Sequence, residues 1–288
     1  MSAGISSDFG SHKTGSGITA ETKTESALET PPLASETLGH IGAFELRNTL
    51  VMAWFVMIFL FSMAALTWAS GYKQIPGRFQ SFMEMIVGGL FNFFRDVVQD
   101  ENLAKKAFPL VGTIFIFLVT ANWMGIIPGV GSITIEGLHN GHMVPLPILR
   151  SMNADVNMTL AVALISVIAT QIFGIAALGV LPYAGKFFVP PWRDPIGSFV
   201  GILELVAEFA KIISFTFRLF GNIFAGEVLL VVVGFLVPYI APIPFLGLEL
   251  FVGLVQGLVF ALLTLVFLKI ASDAHGAGHE DRHHQFAS

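Results

Sequence analysis

Hydrophobic and polar positions divide this chain into three unlike parts. Residues 1–45 are rich in Ser, Thr, Gly and Glu and hold hardly any apolar run. That pattern predicts a disordered tail, because too little apolar surface is on offer to offset the entropy of ordering. Residues 46–274 form the membrane part, with long uncharged stretches recurring at bilayer lengths, roughly 20 apolar residues per helix. They predict spans at Asn48–Tyr72, at Ala107–Ile135 with a break near Pro128-Gly129, at Val156–Gly185, at Pro195–Val237 and at Pro244–Lys269. Between the first two lies Arg78–Glu101, where Phe79, Phe82, Met83, Ile86, Leu90, Phe94 and Val97 recur at helical steps. Ser81, Glu84, Gly88, Asn92, Arg95 and Gln99 fall opposite, so this helix is expected to lie in the headgroup plane. Residues 275–288 are a polar, His-rich tail. The predicted fold is therefore an all-α integral membrane protein. It has five transmembrane helices, the two C-terminal ones long and tilted, plus one interfacial amphipathic helix.

Composition narrows the chemistry. Of 288 residues 54% are apolar and 12% charged, against about a quarter charged in soluble chains. A net charge of −5 speaks against nucleic acid as a partner, and the absence of cysteine excludes disulfides, thiolate metal sites and a cysteine nucleophile. No GxxxxGK[ST] loop occurs, so no nucleotide or other cofactor is expected, and the chain is not expected to be catalytic alone. The N-terminal tail carries five acids and two lysines over residues 1–40, unlike a secretory signal or a transit peptide. With five alternating spans, nine basic residues fall on one side (Lys73, Arg78, Arg95, Lys105, Lys106, Lys186, Arg193, Lys269 and Arg282). Four fall on the other (Lys13, Lys23, Arg47 and Arg150), which predicts an outer N-terminus and a cytoplasmic C-terminus. A bacterial plasma membrane is the simplest home, with an energy-coupling organelle membrane as the alternative.

The fourth span carries five ionisable residues, Glu204, Glu208, Lys211, Arg218 and Glu227. Each costs about 2.5–3.5 kcal/mol in a bilayer even on a lenient scale, so such charges mark ion pathways by default. At about 100° per residue, Glu204, Glu208, Lys211, Arg218 and Asn222 share roughly an 80° arc, and Glu227 points from the opposite face. Arginine cannot relay a proton, but its fixed charge favours an ionised carboxylate nearby and repels a leaking cation. Glu227 is a carboxyl of the kind that takes up and releases protons. Glu249 and Gln256, seven residues apart on one face of the last span, are its expected partners.

The stretch Arg218-Leu-Phe-Gly-Asn-Ile-Phe-Ala-Gly-Glu-Val-Leu229 resembles the signature of subunit a, the membrane stator of F-type ATP synthases. The resemblance extends over Pro195–Asp273, including Glu204, Lys211, Asn222, Glu249 and Gln256. It continues more loosely through Asn122, the Pro128 break and Ala154-Asp-Val-Asn157. It implies ATP synthesis driven by proton transport through two offset half-channels of the membrane (CF(0)) sector. One partner would be a rotating ring of c subunits, each bearing a carboxylate and facing Arg218. Peripheral-stalk b-type subunits, the rest of the synthase and the lipid bilayer are the others. It also implies that Arg218 blocks a proton shunt. Glu227, Glu249, Asn122, Gln256, Asp155 and Asn157 would line the outer half-channel, and Glu204, Glu208, Lys211 and Ser214 the inner one. The chain departs from some relatives in having acid at both positions of the Glu227/Glu249 pair, and Gly125 where some carry an acid.

Plainer readings stand beside these. Arg218 could pair with Glu208 or Glu204, and Glu204, Glu208 and Lys211 could snorkel to headgroups. Gln256 and Asn122 could be interhelical hydrogen-bond formers, with Gly253 and Gly257 a close-packing face. Asp155 and Asn153 could be helix caps. His275, His279, His283 and His284 could share a helix stripe, but their polar setting reads as solvated tail and no metal is assigned. The rival functions are a stand-alone proton or cation transporter and a non-conducting scaffold. The exposed stripe ending in Arg218 lacks enough acids within this chain to face it, which favours a second protein.

Overall fold

The computed structural model describes residues 35, 37–41, 44–69, 77–127, 129–130, 133–139, 142–187, 195–238 and 240–273. The His-rich tail and residues 1–34 lie outside the described residues. In chain order the elements are strands β1 (Thr37–Ile41) and β2 (Phe44–Arg47), then helices α1 (Asn48–Ala69), α2 (Arg78–Val98) and α3 (Glu101–Ile126). Strands β3 (Thr134–His139) and β4 (His142–Pro147) and a 3-10 turn (Met152–Ala154) follow. The chain then forms α4 (Val156–Leu178), α5 (Val180–Phe187), α6 (Pro195–Leu236) and α7 (Pro242–Asp273). Five helices are long and apolar enough to cross a membrane, namely α1, α3, α4, α6 and α7. The protein is an all-α integral membrane protein.

Boundaries moved where local chemistry outweighed hydropathy. The second span starts at Glu101 rather than Ala107. Asp100 caps it, its carboxylate accepting from the Asn102 and Leu103 N–H groups at 2.8 and 3.1 Å. Gln99 closes α2 in the left-handed region (φ 59°), so α2 and α3 join in a tight turn. The third predicted span divides at Gly179, whose φ of 84° suits glycine alone, into α4 and the short α5. Two antiparallel hairpins, β1–β2 and β3–β4, add structure that the helical periodicity did not predict. The first, Thr37–Ile41 with Phe44–Arg47, overlaps the end of the tail expected over residues 1–45, and backbone pairing satisfies its peptide groups.

The spans alternate. The β3–β4 hairpin sits at the end where α1 and α4 start, since Asn48 donates to the Pro147 carbonyl and Thr49 to Asp155. The α2–α3 turn lies at the opposite end, where Lys269 near the end of α7 donates to the Val98 carbonyl at 2.7 Å. One core joins Leu90, Phe94 and Val98 of α2 to Val111 of α3 and Leu265 and Leu268 of α7. A second joins Leu118 of α3, Ala163 of α4, Phe215 and Leu219 of α6 and Phe260 of α7. The helices α3 and α7 meet closely because Gly253 and Gly257 present no side chain; a Cβ there would stand 2.9 Å from Asn122 Cβ and 2.8 Å from a Val119 methyl. The amphipathic α2 buries Leu90, Phe94 and Val98 of its C-terminal half and Gln80 near its start, and Phe79, Phe82 and Ile86 stay exposed. Large apolar side chains also cover the outside of α1 and α6. In water such a surface would aggregate, and in lipid it is at home.

Candidate functional site

At the hairpin end, the loop after β4 inserts Arg150 into the bundle, 8% exposed, and its guanidinium donates to Glu227 Oε2 at 3.1 Å. Glu249 of α7, 7% exposed, lies against Gly226, where a Cβ would stand 2.8 Å from its Oε1. Glycine at 226 is thus what lets the second acid reach the first one's neighbourhood. Asn122 donates to the Gly253 carbonyl at 2.9 Å and accepts from Asn153 at 2.5 Å. Asn222 donates to Gln256 at 3.3 Å. Among the described residues, the buried side-chain polar atoms without a hydrogen-bond partner all belong to this region: Arg150 Nη1, Ser151 Oγ, Asn153 Oδ1, Glu249 Oε2 and Gln256 Nε2. Unpaired buried polar atoms are costly, so their concentration at one place singles this region out as the candidate site. A cleft of about 180 Å³ between α6 and α7 is lined by Asn222, Gly226 and Glu249 among others.

Asp155 has a different office. One carboxylate oxygen accepts from the Asn157 N–H at 2.8 Å and caps α4; the other accepts from Ser35 at 2.5 Å and Thr49 at 3.0 Å. The cap reading describes its contacts, and Asn157 has its side chain on the surface.

At the opposite end, Lys211 donates to Glu208 Oε1 at 2.6 Å, and Gln171 of α4 donates to Oε2 at 2.8 Å. Tyr183 of α5 donates to Gln171 Oε1 and lies over Gly174, whose missing side chain makes room for the ring. Burial first, and then the charges of Glu208 and Glu204, push the Tyr183 phenol above its ordinary pKa, so it remains a donor. The Lys211 ammonium also stands 4.4 Å from the centre of the Phe267 ring. Glu204 is half-buried one turn before Glu208.

Arg218 sits between the two clusters, about 13–14 Å along α6 from Glu227 and about 15 Å from Glu208. It is exposed, and its contact among the described side chains is Ser214 at 3.4 Å. The predicted common face is corrected here. Glu208 and Lys211 turn inward to α4 and α7, whereas Ser214, Arg218 and Asn222 lie on the outer surface, flanked by exposed Ile213 and Phe217. Glu249 of α7 does stand near Glu227, across Gly226, and the ion pair of Glu227 with Arg150 adds a partner that was not predicted. Arg150, Gln171 and Tyr183 were missed. Gln171 had a signal, an amide deep inside an apolar span; Arg150 read only as a loop charge.

Residues 50–269 match the ATP synthase A chain family. The chain is 36% identical over 221 residues to ATP synthase subunit a of Desulfotalea psychrophila, covering 76% of this chain and 82% of that one. It is 31% identical to ATP synthase subunit a of Syntrophobacter fumaroxidans, over 78% of this chain and 84% of that one. It is 33% identical to the sodium ion specific ATP synthase subunit a of Propionigenium modestum, over 84% of this chain and 80% of that one.

Proposed function

The chain belongs to the ATP synthase A chain family as subunit a of an F-type enzyme, and on that premise we propose that it is the proton-conducting stator of that enzyme. Two offset half-channels meet a rotating ring of carboxylate-bearing c subunits along α6. The observation that carries this reading is the exposed Arg218, an intramembrane cation without an acid partner among the described residues, set between two polar clusters. A charge so placed is affordable when a second protein supplies the anion.

Protons reach the ring from the hairpin end through Glu249, Gln256, Asn122 and the Asn222 cleft, with Glu227 lining the route. They leave past Ser214, Lys211, Glu208 and Glu204. Arg218 holds the facing ring carboxylate ionised and, being unable to give up its own proton, closes the direct route between the clusters. Each proton crossing 100 mV delivers about 2.3 kcal/mol, and rotation adds these together for ATP synthesis. Asp155 and Asn157 support the channel wall. Peripheral-stalk b-type subunits hold the chain against the torque. The excess of basic residues on one side supports an outer N-terminus and a cytoplasmic C-terminus in a bacterial plasma membrane.

The test is ATP synthesis under an imposed pH gradient and potential, in vesicles holding the whole complex with Arg218→Ala and with assembly verified. The expected result is loss of synthesis by at least about 100-fold, as for a charge acting at the transfer step. Normal synthesis by the assembled variant would overturn the assignment.

A further inference from the structure

We infer that Arg150 is a positioning residue that divides the labour between the two outer acids: it pins Glu227 as a fixed ion pair and leaves Glu249 as the carboxyl that carries the proton. This rests on the stator reading and deepens it at the same site.

The geometry treats the two acids unequally. Glu227 Oε2 accepts from both the Nε and Nη2 of Arg150, at 3.4 and 3.1 Å. Arg150 is its ion-pair partner among the described residues, and both side chains are largely withdrawn from solvent, at 8% and 19% exposed. A guanidinium never gives up its proton, so a carboxylate held this way has its charge answered permanently. Glu249 has no cation beside it among the described residues. Its Oε2 is buried without a hydrogen-bond partner, its Oε1 rests against Gly226, and it lines the cleft that opens beside Asn222. It is therefore the acid with an oxygen to spare and a way out toward the Arg218 face.

The step balances simply. An O–H bond of a hydronium ion in the outer water breaks and one forms on Glu249. That bond then breaks as the proton passes to an ionised ring carboxylate, and Glu249 returns to a carboxylate. Glu227 and Arg150 neither gain nor lose a proton; together they remove a net charge that would otherwise hold the proton in place. Arg150 thereby acts through Glu227 on Glu249.

The experiment compares proton-driven ATP synthesis per assembled whole complex for Arg150→Gln, Glu227→Gln, the double variant, and Glu249→Gln. Each single change at the pair leaves one buried charge unanswered, and synthesis is expected to fall about tenfold or more. Removing both charges together is expected to restore it to within about threefold of the parent. A pair that mattered only for folding would change the amount of assembled complex and not the rate per complex. Glu249→Gln, a near-isosteric change, is expected to cost about 100-fold. An assembled double variant as inactive as Glu227→Gln would overturn the inference, since Glu227 would then be the carrier. Glu249→Gln activity within about threefold of the parent would overturn it equally, and decides the matter if the double variant fails to assemble. Activity in Arg218→Ala would instead bring down the stator reading itself, so the two failures are distinguishable.

Discussion

Gly226 and Gly253 are both glycines facing a polar side chain, yet they answer to different forces. A Cβ at 253 would meet Asn122 Cβ, close to the backbone of a buried residue, at 2.9 Å. The helices must then separate, and overpacking of this kind costs about 1–3 kcal/mol. A Cβ at 226 would meet the far end of the Glu249 side chain, which can swing aside. Gly253→Ala is thus expected to lower the thermal stability of the purified complex. Gly226→Ala is expected to leave stability alone and lower synthesis by about tenfold, through a misplaced carboxyl. Equal loss of stability in both would show that Gly226 serves packing alone. At this scale the sequence revealed the ionisable side chains and the glycine face, because each is costly or unusual inside an apolar helix. It did not reveal Arg150, since that partnership joins positions 77 residues apart and depends on how a loop folds back into the bundle.

The elements were legible to the extent that one local force decided them. Five apolar stretches became five helices, because a peptide group in lipid has to find its partner within the helix. Ends followed capping chemistry instead of hydropathy: α3 begins six residues before the predicted start because Asp100 caps it, and Lys105 pairs with Glu101 at 2.6 Å. Asp100→Ala is expected to cost about 1 kcal/mol and Asp100→Asn far less, read as thermal unfolding of the detergent-solubilised complex. Equal stability for the two would remove the cap as the reason for the early start. The hairpin β3–β4 did have a signal: Asn140-Gly141 lies between its strands, and that dipeptide favours a two-residue hairpin turn. Helical expectation in a membrane chain obscured it.

At the scale of the whole molecule, the contacts order the chain into two opposed ends. The hairpins, Arg150, Glu227, Glu249 and the starts of α1 and α4 share one of them. The α2–α3 turn, α5, the Glu208 network and the end of α7 share the other. An offset pair of proton routes works only if these ends open on different sides of the membrane. The absence of cysteine from the chain makes that separation directly measurable. Ile135 in β3 and Asp96 near the end of α2 are both exposed, so a single cysteine at either position disturbs no core. In intact cells, a charged, membrane-impermeant maleimide added outside is expected to label Ile135→Cys in the assembled complex. It should label Asp96→Cys only once the membrane is opened. Labelling of both from one side would break the alternation of the five spans, and with it the placement of the two clusters on opposite sides of Arg218.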